Sequence, residues 1–422
     1  MHQLPLSFIA GRRILDMSLF DATAVPESDD WEAWLAYADL LTREGDLRGE
    51  AIRQEHHREH GDADPSRPTA AYAEVERQLG LDVLREDGSW QFTWSRGFID
   101  EACFRLAEDT RPQRRNLVER LLTDHPHTAS IDPADPEQWE SALIDTLLTH
   151  PATYRLRTLE LHLTDYHHSG ENSAISLAGR RRPRLERMYY GYDFTYLCEP
   201  GETSAGKVID PEDHVETGVV SAEAGETLWR SLPALRTLEL EGGFLFHDVE
   251  HETLTRLRIR GYTFTRSMFP SATPGLVSLE VDVRENVHGV HVLNDVLDEL
   301  APQRFPKLRN LDLGNADFDP EEATDFLVLA NSPLLSQLEH LRIQDLVIEE
   351  EYCEDEPLDV LTELAPRFAH LHSFLAGGIF IEDTAANDGT YIETGAEEVK
   401  RLLPRFSLSR RSAAAVDASS TC

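Results

Sequence analysis

Residues Gly201-Glu202-Thr203-Ser204-Ala205-Gly206-Lys207 fit the GxxxxGK spacing of a loop whose backbone N–H groups cradle phosphates. Such a loop needs Ser or Thr next to hold magnesium, and Val208 stands there instead. Glu199 and Pro200 precede the match and Asp210-Pro211-Glu212-Asp213 follow it, so its neighbours repel a triphosphate. The stretch reads as part of an acidic insertion over residues 199–227. Histidines offer a second chemistry. His56 and His60 share a helix face, and His247 and His251 repeat that spacing, which can hold zinc. The HExxH arrangement is absent and no third ligand accompanies either pair, so no metal site is expected and these read as exposed polar side chains. Cys103, Cys198, Cys353 and Cys422 are far apart with no CxxC pair, which fits a reducing compartment better than a disulfide framework. There is no G-x-S-x-G and no cysteine in a local catalytic signature, so no catalytic residue is assigned and no cofactor is expected. Arg180, Arg181, Arg182 and Arg184 form the one dense basic run, read as a solvated turn.

The elements behind these residues are set by a repeat. An L-x-x-L-x-L pattern recurs at Leu156-Leu159-Leu161, Leu185-Met188-Tyr190, Leu235-Leu238-Leu240, Leu254-Leu257-Ile259, Leu276-Leu279-Val281, Leu308-Leu311-Leu313 and Leu338-Leu341-Ile343. A degenerate copy begins at Leu371 with Phe374. Successive starts differ by 29, 50, 19, 22, 32, 30 and 33 residues, and the insertion accounts for the spacing of 50. Apolar residues two apart make a short strand with one buried face. Helical patterning lies between strands at residues 291–301, 320–330 and 357–365. A strand and then a helix, repeated, gives a parallel sheet with stacked helices and a core that only neighbouring units can complete. The pattern resembles the leucine-rich repeat solenoid of the ribonuclease-inhibitor-like horseshoe. That resemblance implies an α/β fold with irregular repeats over residues 156–385.

Ahead of the repeats, residues 20–88 predict a small helical module. One helix carries Trp34, Leu35, Ala38 and Leu41 on one face and stops at Gly45, and a second starts near Leu47. Ala36-Tyr37-Ala38-Asp39-Leu40-Leu41, Glu44-Gly45-Asp46, Arg48-Gly49-Glu50 and Ile52-Arg53 resemble the repeat-companion domain found beside leucine-rich repeats in bacterial proteins. Trp94-Ser95-Arg96-Gly97-Phe98-Ile99 echoes the segment that leads that family into its first repeat. The resemblance implies no activity. Asp39, Asp46, Arg48 and Glu50 read as fasteners of the helix pair by caps and salt bridges. Residues 61–69 read as a polar linker and residues 89–155 as a cap with atypical early repeats: strands over 89–104, a helix near 112–123, a strand near 128–131 and a helix near 137–148. Residues 407–422, rich in Ser and Ala, read as a disordered tail.

The charge narrows the function. Among 422 residues, 40 Lys and Arg face 77 Asp and Glu, a formal net charge of −37, which argues against nucleic acid as a partner. Only Lys207, Lys307 and Lys400 are lysines, a bias that suggests a GC-rich bacterial genome. There is no run of about 18 apolar residues for a membrane span, and no secretory apolar region in residues 1–20, so the expected location is cytoplasmic. In each repeat the residues between and after the strand leucines face solvent on the concave side. They form one row of Glu160, Tyr189, Glu239, Arg258, Glu280, Asp312 and Arg342. A second row holds His162, Gly191, Glu241, Arg260, Asp282, Gly314 and Gln344. Parallel neighbours lie about 4.8 Å apart, so Glu239-Arg258-Glu280 and Glu241-Arg260-Asp282 become cross-strand ladders of opposite charge. The expected function is a non-enzymatic scaffold or sensor that binds a protein partner on this face, with Tyr189 as an aromatic anchor. Alternatives are an electrostatic inhibitor or immunity partner of a basic protein, and an enzyme with its site in the insertion or the front module. On the main reading, Arg258→Glu with Arg260→Glu removes partner capture in a pull-down while circular dichroism stays unchanged.

Overall fold

A computed structural model of the chain describes residues 6–9, 12–15, 21–61, 67–107, 111–125, 131–165, 168–192, 201–202, 208–209, 220–242, 246, 249–261, 273–283, 297, 300–314, 325–349, 357–382 and 396–408. It divides into two compact units. One comprises Met1–Tyr192, Glu202–Val208 and Thr227–Leu235, and the other Asp193–Gly201, Ile209–Glu226 and Arg236–Cys422. Both are α/β.

The first unit opens with an antiparallel pair, β1 (Leu6–Ile9) and β2 (Arg12–Leu15). Helices α1 (Trp31–Arg43), α2 (Arg48–His60), α3 (Arg67–Leu79) and α4 (Asp82–Asp87) follow. Trp34, Ala38 and Leu41 recur at helical spacing on α1 and are buried together with Ile52 and Phe98. Gly45 at φ +81° ends the first helix in the left-handed conformation that a side chain would strain. Arg48 and Asp46 pair at 2.6 Å with both side chains almost fully buried, and Arg53 binds Asp39 at 2.7 Å. These contacts tie the helix pair together. A hairpin then forms from β3 (Trp90–Ser95) and β4 (Phe98–Arg105), closed by Arg96 and Gly97, both at positive φ. Its turn is held by the buried Glu55, which accepts from the Arg96 N–H at 2.7 Å and from Tyr72 Oη at 2.6 Å.

Helices α5 (Arg111–Asp124) and α6 (Trp139–Leu148), strand β5 (Thr158–Leu163), α7 (Ser169–Ala178) and β6 (Arg187–Tyr192) complete this unit's regular pattern. β4, β5 and β6 pair in parallel, in sequence order. Three arginines that precede or follow these strands converge on one carboxylate of the front module. Arg184 binds Asp29 through two bonds of 3.0 and 3.1 Å, Arg96 through one of 3.0 Å, and Arg155 approaches at 3.5 Å. The Arg184 hydrogen bond leads in holding the Asp29 pKa below its ordinary value. Burial, reinforced by the charge of Arg184, draws the Arg155 pKa down to about 10.

The basic run departs from its expected role as a solvated turn. Arg182 is fully buried and donates to Leu177 O, to Arg180 O at 2.9 Å and to Leu148 O. It therefore closes carbonyls near the ends of α6 and α7, which a helix leaves without internal partners. Burial, with Arg180 second, pulls its pKa down to about 9, so it remains charged at neutral pH.

Two short strands, β7 (Gly201–Glu202) and β8 (Val208–Ile209), lie where a phosphate loop would place a turn and a helix start. The residues between them are outside the described set. Helix α8 (Ala222–Ser231) takes up the end of the expected insertion 199–227. The second unit carries β9 (Thr237–Glu241), β10 (Arg256–Gly261), β11 (Ser278–Val283), β12 (Asn310–Leu313), β13 (His340–Glu349), β14 (Ser373–Glu382) and β15 (Phe406–Leu408). Each pairs in parallel with its sequence neighbour. Helices α9 (Asp325–Asn331), α10 (Pro357–Leu364) and α11 (Ala396–Leu402) lie between the later strands.

The leucine pattern fixes this register. Leu238, Leu257, Leu279, Leu311, Leu341, Phe374 and Phe406 stand in successive register, and all are buried. Just before each of β9 to β13 a single carbonyl accepts two N–H groups from the next copy. Arg236 O takes Thr255 N and Arg256 N, Thr255 O takes Val277 N and Ser278 N, and the pattern continues through Val277, Arg309 and Glu339. Arg157 O does the same for Glu186 and Arg187 in the first unit. These forks satisfy the backbone where each strand begins, as buried polar groups require.

Several expectations shift. The helix predicted over 320–330 is described only as Asp325–Asn331, and most of 291–301 and the strand near 128–131 fall outside the described residues. Ser407 and Leu408 belong to β15 rather than to a disordered tail, because they extend the parallel pairing opposite Leu375 and Ala376. The rest of that tail lies outside the described residues.

Gly49 of α2 packs tightly against α1. A Cβ there would collide with Thr42 Oγ1 and would stand 2.5 Å from Ala38 O. Gly49→Ala is expected to force the two helices apart at a cost of about 1–3 kcal/mol. Urea unfolding followed by tryptophan fluorescence measures it.

Candidate interaction face

The charged ladders form as the sequence pattern predicts. On β9, β10 and β11 the residues Glu239, Arg258 and Glu280 stand in register, and so do Glu241, Arg260 and Asp282. Arg258 reaches Glu239 at 3.4 Å and Glu280 at 3.0 Å. Arg260 reaches Glu241 at 3.2 Å and Asp282 at 2.8 Å. One strand on, Arg342 of β13 binds Asp312 of β12 at 3.2 Å. Gly314 leaves the room for that arginine, since a Cβ there would stand 2.5 Å from Arg342 Nε.

These ion pairs are not equally buried. Asp282 has no exposed side-chain surface, Glu241 has 12% and Arg260 21%, whereas Asp312 and Arg342 each have 34%. Burial lowers the Arg260 pKa, but the charges of Glu241 and Asp282 override it and hold the guanidinium above its ordinary value. Burial pushes the Glu280 carboxyl up, while Arg258 draws it back. These ions therefore hold the sheet together as well as face solvent. The double reversal Arg258→Glu with Arg260→Glu is consequently expected to destabilise the sheet. It would set a third carboxylate against Glu241 and the fully buried Asp282, and a buried charge without its counter-ion is strongly destabilising.

In the first unit, the equivalent positions make a different patch. Gln91, Cys103, Glu160 and Tyr189 stand in register across β3, β4, β5 and β6, and the next row runs Arg105, His162 and Gly191. The His162 ring stacks on Tyr189 with centroids 4.4 Å apart, and its Nε2 lies 3.6 Å from Glu160 Oε2. Tyr189 is thus half-buried against a neighbour rather than a free-standing anchor. Ligand atoms of Cys103, Glu160 and His162 all lie within 4.8 Å of one another. Glu339, His340 and His372 make a second such group in the other unit, on exposed residues.

Cys103 escaped the sequence reading. Its copy of the repeat, Ile99-Ala102-Phe104, has Ala at a leucine position, although all three are buried. Aligning that copy with Leu156-Leu159-Leu161 would have placed Cys103 beside Glu160. The histidine pairs are expected from the sequence to be exposed polar side chains without a metal. His56 and His60 stack at 4.4 Å beside Trp31, and neither appears among the described groups whose ligand atoms could meet at a cation. His247 lies outside the described residues, and His251 is buried.

No protein-family model and no curated protein matches the chain. Among solved structures it is similar to a crystal structure of a Bacteroides fragilis protein, at 17% sequence identity and a TM-score of 0.42, over 67% of this chain and 72% of that one. Among the described residues no helix is long and apolar enough to cross a membrane.

Arg260→Ala is expected to cost about 2–4 kcal/mol, between the values for exposed and fully buried pairs, because the buried Asp282 loses its ion pair with Arg260. Arg342→Ala is expected to cost at most about 1 kcal/mol, since both partners are already partly hydrated. Equal costs in chemical unfolding would contradict this division between structural and exposed pairs.

Proposed function

We propose that this is a bacterial, cytoplasmic leucine-rich repeat protein with a repeat-companion module at its front, and that it binds a protein partner on the solvent face of its parallel strands. The observation that carries the reading is the registered ladder on β9 to β13. It aligns fixed charges along one face at the spacing of an extended sheet, and repeat sheets of this kind offer broad surfaces suited to protein recognition. Exposed pairs contribute only about 0–1 kcal/mol each, so stability alone accounts poorly for the more hydrated ones.

The sign of the face selects the partner. Glu239, Glu241, Glu280, Asp282 and Asp312 stand against Arg256, Arg258, Arg260 and Arg342, with Asp282 buried, and the whole chain carries −37. A basic protein is the complementary partner, and long-range attraction would speed its capture at low salt. If the partner is an enzyme, capture of its basic surface would make this chain its inhibitor. Catalysis by this chain has less support, since the face is built from paired ions rather than from a nucleophile and its base.

The test exchanges one exposed pair without unpairing it. Asp312→Arg with Arg342→Asp keeps an ion pair across β12 and β13 and inverts the charge pattern. In affinity capture from host extract at low salt, the wild type is expected to retain a basic protein that moderate salt releases. The swapped chain is expected to retain at least tenfold less while its thermal midpoint stays the same. Undiminished retention by the swapped chain would place recognition elsewhere.

A further inference from the structure

We propose that Cys103, Glu160 and His162 form a three-ligand site for a borderline-soft divalent cation, zinc above others, with its remaining coordination position open. The proposal does not depend on the partner reading above and would stand if that reading failed.

The strand pattern itself builds the site. Glu160 and His162 are two apart on β5, so both side chains leave the same face. Cys103 is the register partner of Glu160 on β4. Thus three donors of different chemistry converge from two adjacent strands, with all ligand atoms within 4.8 Å. In a tetrahedral zinc site with Zn–N and Zn–O bonds of about 2.0–2.2 Å, the nitrogen and oxygen stand about 3.3–3.5 Å apart. The observed 3.6 Å between His162 Nε2 and Glu160 Oε2 needs only a small adjustment.

A second observation points the same way. His162 Nε2 is buried and has no hydrogen-bond partner. A buried ring nitrogen left in that state is costly, and a bound cation supplies what it lacks. Stacking on Tyr189 holds the ring, so little order is lost on binding. Gly191, in register with His162 on β6, leaves space beside the imidazole where any other residue would put a side chain.

The donor set chooses the metal. A thiolate and an imidazole favour zinc over magnesium or calcium, which take oxygen ligands. Cys103 carries a thiol and not a disulfide, so it can supply the thiolate. Arg105 stands in register with His162 on β4 and opposes a cation there. The thiolate and the Glu160 carboxylate bring two negative charges, which balance the charge of the ion itself. Binding must release the thiol proton, so affinity falls as pH is lowered.

The test uses the full chain, stripped with a chelator and titrated with cobalt(II), a spectroscopic stand-in for zinc. One cobalt per chain is expected, with a thiolate-to-cobalt charge-transfer band that zinc abolishes by displacement. Cys103→Ser should remove the band, and His162→Gln should weaken binding by at least about tenfold. Should Cys103→Ser fail to fold, zinc is expected to slow alkylation of Cys103 in the wild type, read by peptide mass spectrometry. Three results would overturn the proposal. One is the absence of cobalt binding. Another is a charge-transfer band that survives Cys103→Ser, or Cys103 alkylation unchanged by zinc. The third is binding without a thiolate band that disappears in His340→Gln with His372→Gln, which would assign the ion to the exposed cluster at the starts of β13 and β14.

Discussion

Parallel pairing in one register is the constraint on which the molecule rests. A side chain two residues along a strand returns to the same face, so burying Leu238 and Leu240 commits Glu239 and Glu241 to solvent. The next strand repeats the choice with Leu257 and Ile259, and the forked carbonyls of Arg236 and Thr255 lock each copy onto the next. A slip by one residue would bury the charges and expose the leucines together. The apolar rows thus determine which charged residues meet, and the ion pairs are a consequence of the core.

That dependence explains why the face is partly structural. Asp282 sits fully buried beneath Arg260, while Asp312 and Arg342 sit in partial contact with water. On the proposed reading, recognition and cohesion draw on the same residues, in proportions set by burial. Toward the end of the second unit aromatic packing joins the aliphatic row. Phe326, Phe368, Phe374 and Phe406 follow one another with centroids 5.0, 5.2 and 5.3 Å apart.

Much of this was legible in the sequence because a period of two is a local property. Copies that use leucine, such as Leu276-Leu279-Val281, announce themselves, and the rows between them follow by counting. Copies with substituted positions do not. Ile99-Ala102-Phe104 and Leu403-Phe406 have buried apolar residues in the same places, but Ala and Phe do not advertise a leucine position. Cys103 was lost with the first of these, because its neighbour Glu160 lies 57 residues away and only register brings them together. Arg182 was misread for a related reason. A run of arginines looks solvated, and the helix-end carbonyls that capture one of them belong to residues as distant as Leu148. The convergence of Arg96, Arg155 and Arg184 on Asp29 was equally invisible, since it joins four separated segments.

The central claim is that the solvent face of the registered strands carries recognition. Hydroxyl-radical footprinting of the full chain, alone and with the protein it retains from host extract, tests it most directly. The account predicts that side chains flanking the ladders on β9 to β13 become protected when the partner binds, while Trp31 and His57 of the front module keep their reactivity. Protection confined to the front module, with the strand face unchanged, would contradict it.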